Sequence, residues 1–286
     1  SDITAYNFDS IYHQKGIITA FKEAGYQTAF FSNQRYNHSF IDFFGKEADT
    51  FDFIKEDSLD SAYNPSDDEL LALVAKELSK GNQKQFIVLH TYGSHFNYRE
   101  RYPSEDAFFL PDYPVEAEVK YRDNLVNAYD NTIRYTDSFL SRLIHMLEEQ
   151  HVDAAMLYTS DHGEDIFDDS RHLFLHASPV PSYYQLHVPF LIWMSDTYRE
   201  AYPEHWQTVT GNKDKDVSSS CSFFPTMLEL GGVQTSYRND SSSVVSPLYT
   251  MKPRVYLNDH NEPRPLDDLG MKQPDFQKCQ VLGIKY

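Results

Sequence analysis

The chain has 286 residues, enough for one large α/β domain with a sizeable core, and its 41% hydrophobic and 15% aromatic content excludes a disordered segment. Against 25 Lys and Arg stand 43 Asp and Glu, a formal net charge of −18 that argues against general nucleic-acid binding and against electrostatic docking on an anionic bilayer. No apolar run approaches the ~20 residues that span a bilayer. The two cysteines, Cys221 and Cys279, supply neither a disulfide scaffold nor a Cys-rich zinc module, and one bridge or two free thiols both stand open.

In chain order, "SIYHQKGIITAFKEA" from Ser10 to Ala24 places Ile11, Ile17, Ile18 and Phe21 near helical spacing, with Gly25 as a C-terminal cap. "YQTAFFS" then predicts a strand. The segment "NPSDDELLALVAKELSKG" predicts a helix with a Ser66/Glu69 capping box, an apolar stripe of Leu70, Leu71, Val74 and Leu78, and Gly81 at its end. "QFIVLHTY" follows as a short buried strand. From Phe96 to Glu116 runs a long loop rich in aromatics and containing three prolines, which reads either as a flap over a substrate or as a packed surface excursion. A long helix is expected from about Ala117 to Glu149, with Leu125, Tyr129, Ile133, Leu140, Ile144 and Leu147 on one face. Next come the strands "DAAMLYTS" and, from His187, "HVPFLIWMS", a short helix at "SFFPTMLELGG", and C-terminal strands at "RVYLND" and "CQVLGI". Strands alternating with helices predict an α/β fold with a mostly parallel sheet covered by helices on both faces. No internal repeat or linker divides the chain, so one domain is expected over 1–286. Residue 1 is not a methionine leading a signal-like segment, and the chain reads as a piece of something longer.

In open α/β sheets ligands bind beyond the carboxyl ends of the strands. Three predicted strands end on polar groups: Asn33 and Gln34 after the first, His90 and His95 after "QFIVLHTY", Asp161 and His162 after "DAAMLYTS". The stretch "LYTSDHGED" raises the sharpest question, because carboxylate oxygen and imidazole nitrogen are both zinc ligands, yet Gly163 equally suits a polar turn closing a strand. His172 and His176, four apart, have the spacing of helical metal ligands, and one ligand with one bystander is expected. His90, inside an apolar strand, reads as a satisfied or supporting histidine, whereas His95 follows a turn and is the stronger candidate. Asp165, Asp168 and Asp169 read as a solvated acidic loop. His13, His38, His145, His151, His205 and His260 are taken as surface or structural residues.

Taken together and in order, "FFSNQ", "VLHTYGSH", "YDNTIRYTDSFL", "YTSDHGE" and "FLHAS" resemble the catalytic domain of lipid-A-type phosphoethanolamine transferases, in the sulfatase branch of the alkaline phosphatase superfamily. The resemblance covers about Ser10 to Leu230. It implies a sulfatase-like fold and zinc as cofactor, with Asp161 and His162 as metal ligands. It further implies that His95 and His176 line the site as catalytic and substrate-binding groups beside Asn33 and Gln34, and that Glu164 and His90 act as supporting residues. Asp161, His162, His95 and His176 are accordingly expected to converge on one pocket.

The implied reaction transfers phosphoethanolamine from phosphatidylethanolamine to an envelope lipid or glycan through a phosphothreonine. The implied setting is the periplasmic face of the bacterial inner membrane, reached through an N-terminal membrane region absent here, with this fragment soluble. The family's nucleophilic threonine and first acidic ligand precede the first strand and are not seen; Thr4 and Thr19 are poor substitutes. The chain as it stands is therefore expected to fold, to hold zinc weakly and not to catalyse transfer. "SNQRYNHS" carries Arg35 and His38 where the lipid A enzymes commonly have a lysine, which leaves the acceptor open. Two other classes stay in play: a sulfatase or phosphodiesterase-type hydrolase, in which water resolves the intermediate, and a binding domain without catalysis.

Overall fold

In a computed structural model of the chain, the described residues are 15–34, 40–54, 64–81, 84–176, 181–257, 263–265 and 272–284. They form two compact units, Lys15–His151 and the residues from Val152 onward. Thr4, His13, Arg35, His38 and His260 lie outside the described residues.

The first unit is built on a parallel sheet of three strands in the order β2-β1-β3, with β1 Gln27–Ser32, β2 Thr50–Phe53 and β3 Gln85–His90. Residues Thr28 to Ser32 of β1 are all buried, which requires cover on both faces and explains why the strand reads as an unbroken apolar run rather than an alternation. Helices α1 (Ile17–Glu23) and α3 (Glu69–Leu78) pack on β1, and a short α2 (Phe40–Gly45) leads to β2. The core begins where Phe21 of α1 stacks on Phe86 of β3 at 3.8 Å. Gly25 (φ +85°) and Gly81 (φ +67°) close α1 and α3 in the left-handed region, as expected of C-terminal caps. At the start of α3 the structure departs from the expected capping box: Ser66 Oγ accepts the Asp68 N–H at 3.0 Å, a turn two residues long, and also meets Tyr135 Oη at 2.9 Å.

The long helix α4 spans Arg122–Glu149, and its buried stripe is Leu125, Ala128, Asn131, Thr132, Tyr135, Phe139 and Leu143. Of the expected face, Leu125 is buried and Tyr129, Leu140, Ile144 and Leu147 are half-buried, while Ile133 stands out. Ile133 is 48% exposed, because polar Asn131 and Thr132 take interior positions that a hydrophobicity count assigns to solvent. Asn131 Oδ1 accepts the N–H groups of Phe108 and Phe109, both at 2.9 Å, and its Nδ2 donates to Phe109 O. The loop from Phe96 to Glu116 is thereby fastened to α4, with Tyr98 and Tyr102 buried and Phe108, Leu110 and Tyr113 exposed.

In the second unit, β4 (Ala155–Thr159) pairs antiparallel with β7 (Phe190–Met194), and β5 (Asp165–Ile166) forms a small hairpin with β6 (Phe174–Leu175). The α/β class holds, but β7 reverses direction. Its connection to β4 is the hairpin and the single-turn helix α5 (Tyr183–Leu186), not the long crossover helix that a parallel pair needs. Met194 joins Tyr198, Leu230, Val244, Val245 and Tyr249 in a core shared with α6 (Asp196–Ala201), α7 (Pro203–Asn212) and α8 (Ser219–Leu230). Farther on, β8 (Val255–Leu257) pairs with β9 (Pro263–Pro265). The expected strand "CQVLGI" is instead part of helix α9 (Gln273–Val281) and its end. Pro274 in the first turn and Asp275 bonded back to the Lys272 N–H start a helix there, and Val281 lies 82% exposed rather than in a sheet. Both cysteines are free thiols, and burial pushes the Cys279 thiol up from its ordinary pKa. Among the described residues no helix is long and apolar enough to cross a membrane.

Candidate metal and phosphoryl site

Strand β4 delivers the loop Ser160–Glu164. Ser160 Oγ donates to His162 O at 2.8 Å, and Asp161 Oδ1 accepts the His162 N–H at 3.0 Å, so the loop turns on its own polar groups. His162 Nδ1 lies 3.0 Å from Gly163 O. A carbonyl can only accept, so Nδ1 carries the proton and Nε2 carries the lone pair. That Nε2 stands 3.6 Å from Asp161 Oδ2, whose side chain is 88% exposed. Two donor atoms with free lone pairs thus sit about one ligand–ligand spacing apart, as two corners of a zinc tetrahedron with bonds of ~2.0–2.1 Å would.

Gly163 is there for space. A Cβ at this position would stand 2.1 Å from Tyr184 O, and its N–H donates to Gln185 O at 2.8 Å, so the loop is pressed against α5. Beyond it, the hairpin pairs Asp165 with Leu175 and Ile166 with Phe174, and one step outward on that register Glu164 faces His176. Glu164 Oε1 accepts from His176 Nδ1 at 3.0 Å, with the glutamate side chain 5% exposed and the histidine 38%. The proton of His176 is therefore held on Nδ1, and Nε2 is its outward-acting atom. The rings of His162 and His176 stack at 3.7 Å. One ligand atom from each of His162, Glu164 and His176 lies within 4.8 Å of the others, a candidate metal-holding group that shares His162 with the Asp161 pair.

His172 stands apart from this group. It lies exposed in the hairpin turn with φ +51°, and no helix aligns it with His176. Leu175, next to His176, also has positive φ (+64°), an uncommon conformation for a branched residue that the surrounding contacts must sustain.

The acidic loop is not solvated as the sequence suggests. Asp165 is 2% exposed and accepts from Ser182 Oγ at 2.7 Å and from Gln185 Nε2 at 2.5 Å; burial raises its pKa against those two donors. Asp168 Oδ2 accepts the Ile166 N–H at 2.7 Å. Asp169 is clasped by Arg171, whose hydrogen bonds hold that carboxyl below its ordinary range. Sequence reasoning missed Arg171 and its second partner, Asp275, 104 positions away; no local pattern joins them.

The first unit places the remaining candidates. Residues Ser32 of β1 and His90 of β3 stand side by side in the parallel register, and Ser32 Oγ bonds His90 Nδ1 at 2.9 Å while accepting the Gln34 N–H at 3.1 Å. His90 is thus hydrogen-bonded within the sheet. Asn33 is 1% exposed, with its Nδ2 donating to Pro65 O at 3.0 Å and to Asp67 Oδ1 at 2.8 Å, so its amide braces the interior. Asp67 also accepts the N–H groups of Tyr92 and Gly93 at 2.8 and 2.9 Å. This carboxylate holds the turn that carries His95, and it was hidden in a helix-start pattern. His95 itself is exposed, its Nδ1 at the Phe96 carbonyl and its ring edge-on to Tyr92 at 5.1 Å. Of the remaining histidines, His145 lies 74% exposed beside Glu148 and Glu149, and His205 Nδ1 bonds Tyr198 Oη.

The family model described as Sulfatase matches residues 2–233. Phosphoethanolamine transferase EptA of Salmonella typhimurium is 34% identical over 168 residues, which cover 56% of the chain and 30% of that relative; the chain spans under a third of its length. The Zn complex of the C-terminal periplasmic domain of EptC from Escherichia coli superposes with a TM-score of 0.79 at 23% identity, covering 90% of the chain and 73% of that domain. The integral membrane protein lipooligosaccharide phosphoethanolamine transferase A from Neisseria meningitidis is 26% identical with a TM-score of 0.72, covering 82% and 44%.

Proposed function

The chain belongs to the sulfatase family, and from that premise we propose that residues 1–286 are a sulfatase-like catalytic domain of a zinc-dependent phosphoethanolamine transferase of the lipid A type. The donor is phosphatidylethanolamine, the acceptor an envelope lipid or glycan, and the place of action the periplasmic face of the bacterial inner membrane. The similarity to EptA and to the Neisseria membrane enzyme supports this reading. The observation that carries it is the Asp161–His162 pair, with Oδ2 and Nε2 3.6 Å apart and the histidine proton parked on the other nitrogen.

This donor set fits zinc, one carboxylate oxygen and one neutral imidazole nitrogen, and Glu164 and His176 offer further ligand atoms within reach of His162. When bound, zinc would act as a Lewis acid on the phosphoryl oxygens. The protein's own groups do the rest. His162 stays in one tautomer because Gly163 O takes its Nδ1 proton. Glu164, the carboxylate behind His176, fixes that ring and leaves Nε2 with its lone pair outward, where, once the ring gains a second proton, it would donate to a phosphoryl oxygen. His95, on its exposed turn, is a second proposed phosphoryl contact, with Gln34 and Asn33 on the neighbouring segment as substrate-side residues, Asn33 through the backbone it braces. Covalent transfer proceeds through a phosphothreonine that no described residue supplies.

The test is to incubate the complete protein that contains this chain with phosphatidylethanolamine, zinc and lipid A, and to follow the acceptor by mass spectrometry. Phosphoethanolamine added to the acceptor, and lost with Asp161→Asn, is the expected result. Release of free phosphoethanolamine without acceptor modification would reassign the domain to the hydrolases.

A further inference from the structure

Asp275 lies beyond the segment matched by the family model. It sits on α9, is 1% exposed, and is saturated with donors. Arg171 reaches it with both terminal nitrogens, Nη1 to Oδ2 at 2.7 Å and Nη2 to Oδ1 at 2.8 Å. The Tyr183 N–H donates to Oδ1 at 2.9 Å and the Lys272 N–H to Oδ2 at 3.0 Å. One carboxylate therefore ties together the turn of the β5–β6 hairpin, through Arg171, and the first residue of α5, through Tyr183.

What α5 holds is the point of that tie. Gln185 O takes the Gly163 N–H, and Gln185 Nε2 with Ser182 Oγ grips Asp165. Glu164 is bracketed by these two anchored neighbours, and Glu164 in turn fixes His176 Nδ1. We propose that Asp275 is a positioning residue: through Arg171 and Tyr183 it locks the hairpin against α5, and so sets the Glu164–His176 pair beside the Asp161–His162 ligands. A bidentate Arg–carboxylate pair suits the task, because two parallel hydrogen bonds fix orientation as well as distance, and burial shields them from screening. Where the inference concerns metal affinity it rests on the zinc reading above; where it concerns His176 it does not.

The experiment uses the 286-residue chain, labelled with nitrogen-15, at a pH where imidazoles are neutral. Long-range proton–nitrogen correlation spectra read the tautomer of His176, assigned by its loss in His176→Gln. A competing chelator dye reads zinc affinity. Wild type should show a single Nδ1–H tautomer at His176. Asp275→Asn should give mixed tautomers and about a tenfold weaker zinc affinity, within the range for losing an outer partner of a metal site. Arg171→Lys keeps the charge but not the fork; it should show the same change more weakly, and it serves if Asp275→Asn does not fold. Thr226→Ala, which removes the hydroxyl that accepts the Val244 N–H, is the control for lost stability alone and should alter neither readout. Asp275→Asn or Arg171→Lys folded with wild-type tautomer and zinc affinity within twofold, or Thr226→Ala reproducing their effects, overturns the proposal. Where the wild-type chain holds zinc too weakly for the dye, as two expected ligands short of four-coordination would make it, the tautomer comparison alone decides the role of Asp275.

Discussion

His162 and Gly163 show how much one residue's neighbours decide. The proton on His162 Nδ1 is set by a backbone carbonyl one residue away, and the lone pair that faces Asp161 follows from it. Replacing Asp161 by Asn, or His162 by Gln, should weaken zinc binding by more than a hundredfold, whereas Glu164→Gln should cost about tenfold by loosening His176. Titration calorimetry checks this order, and a larger loss for Glu164→Gln than for Asp161→Asn would make the glutamate the direct ligand. At Gly163, even a methyl group collides with Tyr184 O. Gly163→Ala should therefore cost about 2 kcal/mol or more, since the obstacle is backbone and not a side chain that can turn aside. Thermal unfolding of the metal-free chain measures that cost.

The hairpin, the loop 96–116 and helix α4 are elements whose order comes from polar side chains placed inside. Asn131 satisfies three backbone groups of the loop, and Asn131→Ala should strand two buried or half-buried N–H groups, at about 1–3 kcal/mol. Faster hydrogen exchange at Phe108 and Phe109 is the local sign. Two buried tyrosines tie this region's stability to alkaline pH. Burial pushes Tyr102 up to about 12, with neighbouring Asp112 adding to the rise and Asn131 opposing it. Burial likewise pushes Tyr135 up to about 12, helped by Asp68 and opposed by Ser66. An acid whose folded pKa exceeds its unfolded value of ~10 keeps its full contribution below pH 10 and loses it as pH rises toward 12. Each tyrosine should thus lose on the order of 2 kcal/mol over that window. Denaturant melts at pH 8 and pH 11.5 test it: the cost of Tyr102→Phe should shrink at the higher pH.

At the scale of the whole chain, metal binding and folding are linked. A zinc ion that binds only the folded state adds about 2.7 kcal/mol at a free concentration a hundred times its dissociation constant. Melting of the second unit should therefore rise by roughly 5 °C or more on adding zinc and fall back with chelator, and Asp161→Asn should abolish the response. A response unchanged in Asp161→Asn would place the ion elsewhere. The first unit lacks the Asp161–His162 pair, so its transition, followed through the stacked Phe21 and Phe86 region, should stay put.

Local order was written in the sequence. The strand "YQTAFFS", the helix ended by Gly81, the strand that leads to Asp161 and the internal hydrogen bond of His90 all follow from short-range chemistry: apolar runs, glycines free to take positive φ, and an imidazole that needs a partner inside a strand. What tertiary structure decided involves partners far apart in the chain. The buried stripe of α4 widened onto Asn131 and Thr132, at the expense of Ile133, because those two found backbone and hydroxyl partners inside. The acids 165, 168 and 169 left solvent because Ser182, Gln185 and Arg171 arrived to meet them. "CQVLGI" became helix because its upstream Asp275 caps that helix and anchors Arg171, 104 positions earlier. Periodicity carries only the cost of exposing a side chain; whether a buried polar group has a partner depends on the whole fold, and that is the term that set these positions.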